Sequence, residues 1–505
     1  MIIKPISRVR HRPIALVLPG FKAVRIITDE GEKTYRGLTP TYRALKAIEN
    51  HVVYTPGSLK GFIHTVGAES WTADVWRGHA TSMTLDGTNL RVTSLRRTLD
   101  DLGTPMEQYL ALSEVVLWGR DQGISAGSIS SMAWALWRST LSTPVDMAFD
   151  GKVARKAFYG GRQEARSGQA FTDMVTLDIA SAYPYEMAAR PYAGVMREVS
   201  RLTTLDPERA GLAKATIKVP TTLKYAPLPV RVDIDMIQWQ FGTIEGVYTW
   251  AELDAAKQIG CTVEVARCWA PLTEIEPFTA WWEVVRAGRE LVSPGASKLV
   301  KAISNSLWGM FGMTGDDRSV VRWADNAGNK AEIVSRDTRK MPQANTVHIA
   351  AETTSRVRRR MLLEGLYGHL TNDSVEAAHV DTDGLIVPAR SLDRLSSRPM
   401  GDGPGQWRVK NTMSVLEVNG PQLYRYNCGP RCGVDHNGWH YVAAGVGDKA
   451  AAELFKRLPY RFTSSAVFGR DIVLPAGPAQ SRRNIPQSRW DAQLVQSAVF
   501  GESLV

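Results

Sequence analysis

The chain has 505 residues, a hydrophobic share of 44% and a charged share of 22%, so it can bury several cores and is not a disordered segment. No apolar run approaches the ~20 residues that a membrane helix needs, and the start has no signal-peptide pattern, so a cytoplasmic setting without a membrane partner is expected. The formal net charge of +10 favours a polyanion partner, because Lys and Arg that meet phosphates release condensed counterions.

In chain order, residues 14–28 read as two short strands, with Asp29 and Glu30 in the following turn. Residues 104–141 read as helical, with Met106, Leu110, Leu112 and Val116 spaced for one buried face and a break between Gly123 and Ser131. Residues 145–162 read as a linker ending in Phe158-Tyr159-Gly160-Gly161. A strand, Met174 to Asp178, leads through a turn into a helix opened by Pro184. Residues 212–247 are mixed strand and turn, and Trp250 to Ile259 is a helix closed by Gly260. Helices over 278–291 and 296–311 are separated by Ser293-Pro-Gly295, and 317–335 suggests a hairpin. Residues 353–368 form a basic helix and His379 to Val387 a strand pair with a turn.

Cysteine usage excludes a disulfide framework, since there are four in the whole chain. Cys428 and Cys432, with His436 and His440 following, could form a zinc set. The intervening Gly and Pro mark a loop, and a polar hairpin tip is the preferred reading.

Three segments carry chemistry. Asp178-Ile-Ala-Ser-Ala-Tyr183-Pro ends an apolar strand in a carboxylate followed by a tight turn. In Lys301-Ala-Ile-Ser-Asn305-Ser306-Leu-Trp308-Gly309, Lys301, Asn305 and Trp308 share one helix face. In His379-Val-Asp381-Thr382-Asp383-Gly384 the two carboxylates are two residues apart, so on a strand they share a face. Together these are the parts for nucleotidyl transfer with two divalent ions about 3.5–4 Å apart, which stabilise the attacking oxygen and the leaving pyrophosphate. Mg²⁺ needs few protein carboxylates, because it keeps waters and takes phosphate oxygens. A lysine on the helix would neutralise a triphosphate.

These residues resemble the three polymerase motifs of family B DNA polymerases. The family's Asp-x-x-Ser-Leu-Tyr-Pro appears with Ala182 for Leu, its Lys-x-x-x-Asn-Ser-x-Tyr-Gly with Trp308 for Tyr, and its Tyr-x-Asp-Thr-Asp-Ser with His379 for Tyr and Gly384 for Ser. Phe158-Tyr159-Gly160-Gly161 is similar to the Tyr-x-Gly-Gly segment that contacts template. Gln422-Leu-Tyr424 stands where the family has Lys-x-Tyr near the primer, without the charge. The gap between Asp178 and Lys301 is long enough for the palm insertion of the protein-primed phage branch.

The resemblance implies an α+β right-hand polymerase. It divides the chain into a reduced, exonuclease-like domain over 1–150, palm over 151–277, helical fingers over 278–313, palm again over 314–425, and thumb with tail over 426–505. It assigns Asp178 and Asp383 as metal ligands with Asp381 assisting. It assigns Mg²⁺ as the ion pair, with Mn²⁺ as an alternative. Tyr183 would lie under the sugar as a steric gate, since the 2′-hydroxyl separates RNA from DNA. Lys301 would bind the triphosphate with Asn305 and Trp308 near base and sugar. Arg286 has two readings, a second triphosphate contact or a surface residue. Tyr159, Gly160, Gly161, Ser306, Gly309, Thr382 and Tyr424 would contact DNA.

Arg356 to Arg360 on the basic helix either track a nucleic-acid backbone or form a solvated face, and Arg482 and Arg483 resemble a thumb surface on duplex. The implied partners are primer–template DNA, dNTPs and a terminal priming protein. The family's proofreading carboxylates are not found: residues 51–68 contain no Asp or Glu. A lesion-bypassing or self-priming polymerase and a catalytically silent DNA-binding relative stay open as rival readings.

Overall fold

The structure is a computed structural model. It describes residues 2–3, 12–20, 23–56, 71–76, 79–95, 99, 102–125, 127–147, 149–166, 168–199, 205–233, 236–313, 318–323, 331–336, 346–368, 375–395, 399–428 and 438–443. The chain divides into two compact units, 1–146 with 277–344 and 487–503, and 147–276 with 345–486 and 504–505. Among the described residues no helix is long and apolar enough to cross a membrane.

The first unit is built on a nine-stranded mixed sheet. Ile14, Ala15, Leu16 and Val17 are all buried, as a continuous apolar run must be when both faces of its strand are covered. Their strand, Ile14–Gly20, pairs antiparallel with Ala23–Thr28 and parallel with Val52–Thr55, which in turn lies parallel to Arg91–Ser94. The turn at Asp29 and Glu30 is where the sequence places it. The expected hairpin also forms, Arg318–Trp323 with Ala331–Arg336, but its place differs from the expectation. Arg318–Trp323 pairs with Trp71–Trp76 of this sheet, so residues assigned to the second palm segment belong to the first unit.

The helix Pro105–Asp121 starts on a capping box: Glu107 N–H donates to Thr104 Oγ1, and Thr104 N–H to Glu107 Oε2 at 2.6 Å. The expected apolar stripe is corrected here. Leu112 and Val116 are buried with Tyr109 and Trp118, whereas Met106 and Leu110 are 38% and 57% exposed. The i, i+4 spacing identifies a face without saying which face is covered.

Ser293 caps the helix Pro294–Phe311 just after Thr279–Leu291 ends, as the Ser-Pro-Gly break demands. Both pack with Ile129–Ser139 around an aromatic cluster in which Trp137 lies 5.0 Å from Phe311 and 5.7 Å from Phe278. Gly288 makes one approach possible, since a Cβ there would lie 2.5 Å from the Trp118 ring.

The second unit holds a seven-stranded antiparallel sheet: β1 (Arg162–Ala165), β2 (Gln169–Ile179), β3 (His379–Thr382), β4 (Gly384–Pro388), β5 (Trp407–Gly420), β6 (Leu423–Asn427) and β7 (Trp439–Ala443). Their spatial order is β1-β3-β4-β2-β5-β6-β7. Met174, Ile386, Met413, Leu416 and Val418 pack into one core layer, and alternation puts Val175, Leu177, Ile179, Leu385 and Val387 on the opposite face, where they are buried too, so the centre of the sheet is apolar on both sides. A four-stranded antiparallel sheet over Met196–Pro271 lies between the first and second motifs, followed in part by the helix Trp250–Gln258 capped by Thr249. The expected linker contains a short helix, Gly151–Ala157, started by Asp150.

The basic helix is Val347–Arg360, and it is a core element rather than a solvated face. Arg356 is 4% exposed, pairs with Glu352 at 3.2 Å and donates to the carbonyls of Glu186 and Arg190. Arg358, also 4% exposed, pairs with Glu252 at 2.8 Å. Burial of a guanidinium demands this, because an uncompensated charge in the interior is strongly disfavoured. The expectation that Arg356 tracks a nucleic-acid backbone is therefore corrected: its head group is spent inside the fold.

Candidate active site

Asp178 is the second-last residue of β2, opposite Gly384 of β4 on one side and Arg408 of β5 on the other. Asp383 lies in the two-residue turn between β3 and β4. Its carbonyl accepts the Ile179 N–H at 2.9 Å, which ties the turn to the end of β2. Gly384 permits the close approach, because a Cβ there would lie 3.1 Å from the Leu177 carbonyl oxygen. The departure from the family's Ser at this position therefore has a steric reading.

Backbone strain gathers at the same place. Four non-glycine residues among those described have positive φ, and three border the carboxylates: Ser181 at 52°, Thr382 at 60° and Gln422 at 53°. Such conformations cost about 1–3 kcal/mol each and persist where surroundings fix them, often at functional sites.

The Asp383 carboxyl is pushed up to about 6 by burial first and by Asp178 and Asp381 next. Carboxylates crowded in a partly dry pocket raise one another's proton affinity, and a divalent cation relieves the same repulsion. Asp381 is held differently. It accepts from Gln422 Nε2 at 2.8 and 2.9 Å and from Gln163 Nε2 of β1 at 3.1 Å. Gln422 N–H also donates to His379 Nε2 at 2.9 Å, so the neutral ring carries its proton on Nδ1. Burial keeps it neutral by pushing its pKa down to about 4. Two of the departures from the family pattern, His379 and Gln422, thus meet in one network around Asp381, beside the Tyr424 ring at 5.0 Å from His379.

Asp178 and Asp383 supply hard oxygen donors from two strands, which fits Mg²⁺ or Mn²⁺ completed by waters and phosphates. Among the described residues no group of three His, Cys, Asp or Glu side chains forms a closed metal cluster.

Tyr183 is buried near Asp383 and Asp381, as the second residue of the helix Ala182–Ala189. Gly161 abuts the third motif: a Cβ there would lie 2.7 Å from Thr382 Cγ2. Tyr159 is corrected as a DNA contact through its ring, which is 4% exposed and stacked on Tyr248 with centroids 5.8 Å apart. Its carbonyl and that of Gly160 both accept from Arg358 at 2.8 Å. This segment therefore presents glycine backbone, held from beneath by a buried arginine.

Lys301, Asn305, Ser306, Trp308 and Gly309 lie on the helix Pro294–Phe311 of the first unit, with Lys301 and Asn305 exposed and Trp308 half-buried on the expected face. Ser306 Oγ donates to the Ile303 carbonyl at 3.0 Å. Arg286 is exposed and pairs with Glu283 at 2.8 Å. Arg482 and Arg483 lie outside the described residues, as do Cys432 and His436. Cys428 Sγ and His440 Nε2, the two candidate zinc ligands that are described, lie 3.3 Å apart.

Sequence reasoning missed Arg408, Lys410, Gln163 and the Arg358–Glu252 pair. Arg408 Nε donates to Asp178 Oδ1 at 2.7 Å and its NH2 to Oδ2 at 3.2 Å, with Lys410 Nζ 3.8 Å from Oδ2. The alternation of Arg408 and Lys410 on a strand was the available signal, but it does not say which carboxylate lies opposite.

Residues 124–360 match the family described as DNA polymerase type B, organellar and viral. Among solved structures, phi29 DNA polymerase complexed with primer-template DNA aligns with a TM-score of 0.65 at 13% identity, over 88% of this chain and 94% of that one. The same polymerase complexed with primer-template DNA and incoming nucleotide substrates aligns with 0.65 at 12% identity, and its orthorhombic crystal form with 0.66 at 12%, each over the same shares of both chains. Likeness at this identity shows the fold, that of a family B DNA polymerase. No curated protein matches the chain.

Proposed function

We propose that this chain, whose residues 124–360 match the family described as DNA polymerase type B, organellar and viral, adds dNTPs to a primer 3′-hydroxyl on a DNA template by two-metal-ion transfer, without 3′–5′ proofreading. The observation that carries this reading is the placement of Asp178 and Asp383 at adjoining strand ends of one sheet. Asp178 and Asp383 would hold Mg²⁺ or Mn²⁺, with Asp381 in support. When bound, such ions stabilise charge on the attacking 3′-oxygen and the leaving pyrophosphate.

The remaining work falls to side chains. Lys301 neutralises the triphosphate, with Arg286 as a second, weaker contributor, while Asn305 and Trp308 line the base and sugar. The buried Tyr183 ring excludes a 2′-hydroxyl by filling its place. The Gly160–Gly161 backbone, with Thr382 and Tyr424, meets template and primer. In its ternary complex phi29 polymerase binds primer-template DNA and incoming nucleotides, and the same partners are proposed here. A terminal protein would serve as primer, in replication of a phage or mobile element.

Absence of proofreading is supported by the first unit's three parallel strands. Their sequences, IALVLPG, VVYT and RVTS, contain no carboxylate. Without acidic ligands on these three strands, hydrolytic metals have no anchor there.

Extension of a labelled primer–template with Mg²⁺ and either dNTPs or rNTPs tests the proposal. Wild type should extend with dNTPs only, and Asp383→Ala should not extend. Equal extension by both proteins refutes the metal assignment. Rapid removal of a mismatched 3′ nucleotide refutes the proofreading claim, and an arm with a candidate priming protein and no oligonucleotide tests the primer.

A further inference from the structure

We propose that Arg408 is a built-in counter-cation for Asp178, which a divalent ion must displace in order to bind, so that Arg408 sets the metal affinity of the site. The inference rests on the reading of Asp178 as a metal ligand.

The geometry is that of a competitor. Arg408 and Asp178 are directly opposite in the β2–β5 ladder, and the guanidinium takes both carboxylate oxygens, at 2.7 and 3.2 Å. A fork-to-carboxylate pair of this kind occupies the lone pairs that a metal would use. The register shifts between Thr176 and Leu177, which leaves Lys410 unpaired in the bulge and brings its ammonium to 3.8 Å from the same carboxylate. Bulges re-aim side chains beside active sites.

Asp178 therefore faces two cations on one strand, while its side chain is only 17% exposed. Arg408 and Lys410 are 31% and 58% exposed, so both have room to swing away toward solvent. A second cross-strand pair in the same sheet shows the contrast. Arg425 and Glu417 are also opposite, at 2.7 Å, but among the described residues Glu417 is part of no cluster of acidic side chains that could hold a metal. A pair with only a structural role would stabilise the sheet slightly and leave metal binding alone. A counter-cation lowers the affinity of the empty site, because part of the metal's binding energy goes into releasing it.

Binding of Mn²⁺ to the full-length protein at fixed pH and ionic strength, read from the free-ion signal in electron paramagnetic resonance, tests this without turnover. Arg408→Gln should bind Mn²⁺ roughly tenfold more tightly than wild type, about the change that 1.4 kcal/mol of lost competition gives. Lys410→Gln should shift affinity the same way by less, and it keeps the test alive if Arg408→Gln does not fold. In an Asp178→Asn background, Arg408→Gln should have no effect.

Equal or weaker binding by folded Arg408→Gln and Lys410→Gln, with binding still lost in Asp383→Asn, overturns the inference and leaves the metal assignment standing. Absence of Mn²⁺ binding in wild type, with and without primer–template, overturns the metal assignment and this inference with it.

Discussion

The two units each centre on a sheet, and they treat charge in opposite ways. In the first, the parallel strands Ile14–Gly20, Val52–Thr55 and Arg91–Ser94 carry no carboxylate. In the second, β2 and the β3–β4 turn gather three aspartates, and Arg408, Lys410, Gln163 and Gln422 hold two of them. A sheet gives a scaffold wherever apolar residues alternate or run together. It becomes a reaction site only where strand ends bring like charges close enough to need a cation. The comparison sets parallel strands free of carboxylates against a sheet end where three aspartates need partners.

Substitutions break this comparison in graded ways. The largest effect is expected from Asp178→Ala or Asp383→Ala, with extension down at least roughly 10³-fold, or about 4 kcal/mol of transition-state stabilisation. Single-turnover extension checks it. Arg358→Met comes next, because it leaves Glu252 buried and unpartnered by its guanidinium at 2.8 Å. A loss of about 3–5 kcal/mol is expected in denaturant melts, partly restored by Glu252→Gln. Gln422→Leu removes two hydrogen bonds to Asp381 and should slow extension about 10- to 100-fold with the fold intact, as loss of a group supporting a metal-site ligand does.

A smaller effect has a defined pH window. Folded Asp383 holds its proton up to about 6, against the ordinary 3.8, so without divalent ions the folded state binds more protons between these values. Stability contributed by that proton is present at low pH and lost as pH rises through the window. Asp383→Asn, which never ionises, should therefore equal wild type near pH 3.8 and exceed it by on the order of 1–2 kcal/mol above pH 7. Melting curves in chelator across this range measure it. At the small end, Glu30→Gln in the first unit should change neither extension nor excision, since that residue sits in an exposed turn with Lys33 as its partner.

The proposed site residues were legible where they are written in short local signals. An apolar strand ending in Asp178, a helix spacing of Lys301 to Trp308, and Asp381-x-Asp383 each needed only nearby residues. What stayed hidden depends on register between distant strands. Arg408 faces Asp178 only after β5 has paired with β2 and shifted at its bulge. The arginine run 356–360 misled because charge in a helix suggests solvent, while the Glu352–Arg356 spacing of four residues was the clue to a buried pair. Met106 and Leu110 misled for the converse reason: periodicity shows a stripe but not its cover. The hairpin over 318–336 was read correctly as a hairpin and assigned to the wrong unit, because hairpin formation is local and sheet membership is not.

The central claim is that a divalent ion sits between the end of β2 and the β3–β4 turn. Ferrous ion in place of Mg²⁺, with ascorbate and peroxide, generates hydroxyl radicals where it is bound and cuts the nearby backbone. The expected fragments end close to residue 178 and close to residues 381–383, fade with excess Mg²⁺, and vanish in Asp383→Ala. Cuts elsewhere in the chain, or cuts indifferent to that substitution, would contradict the account.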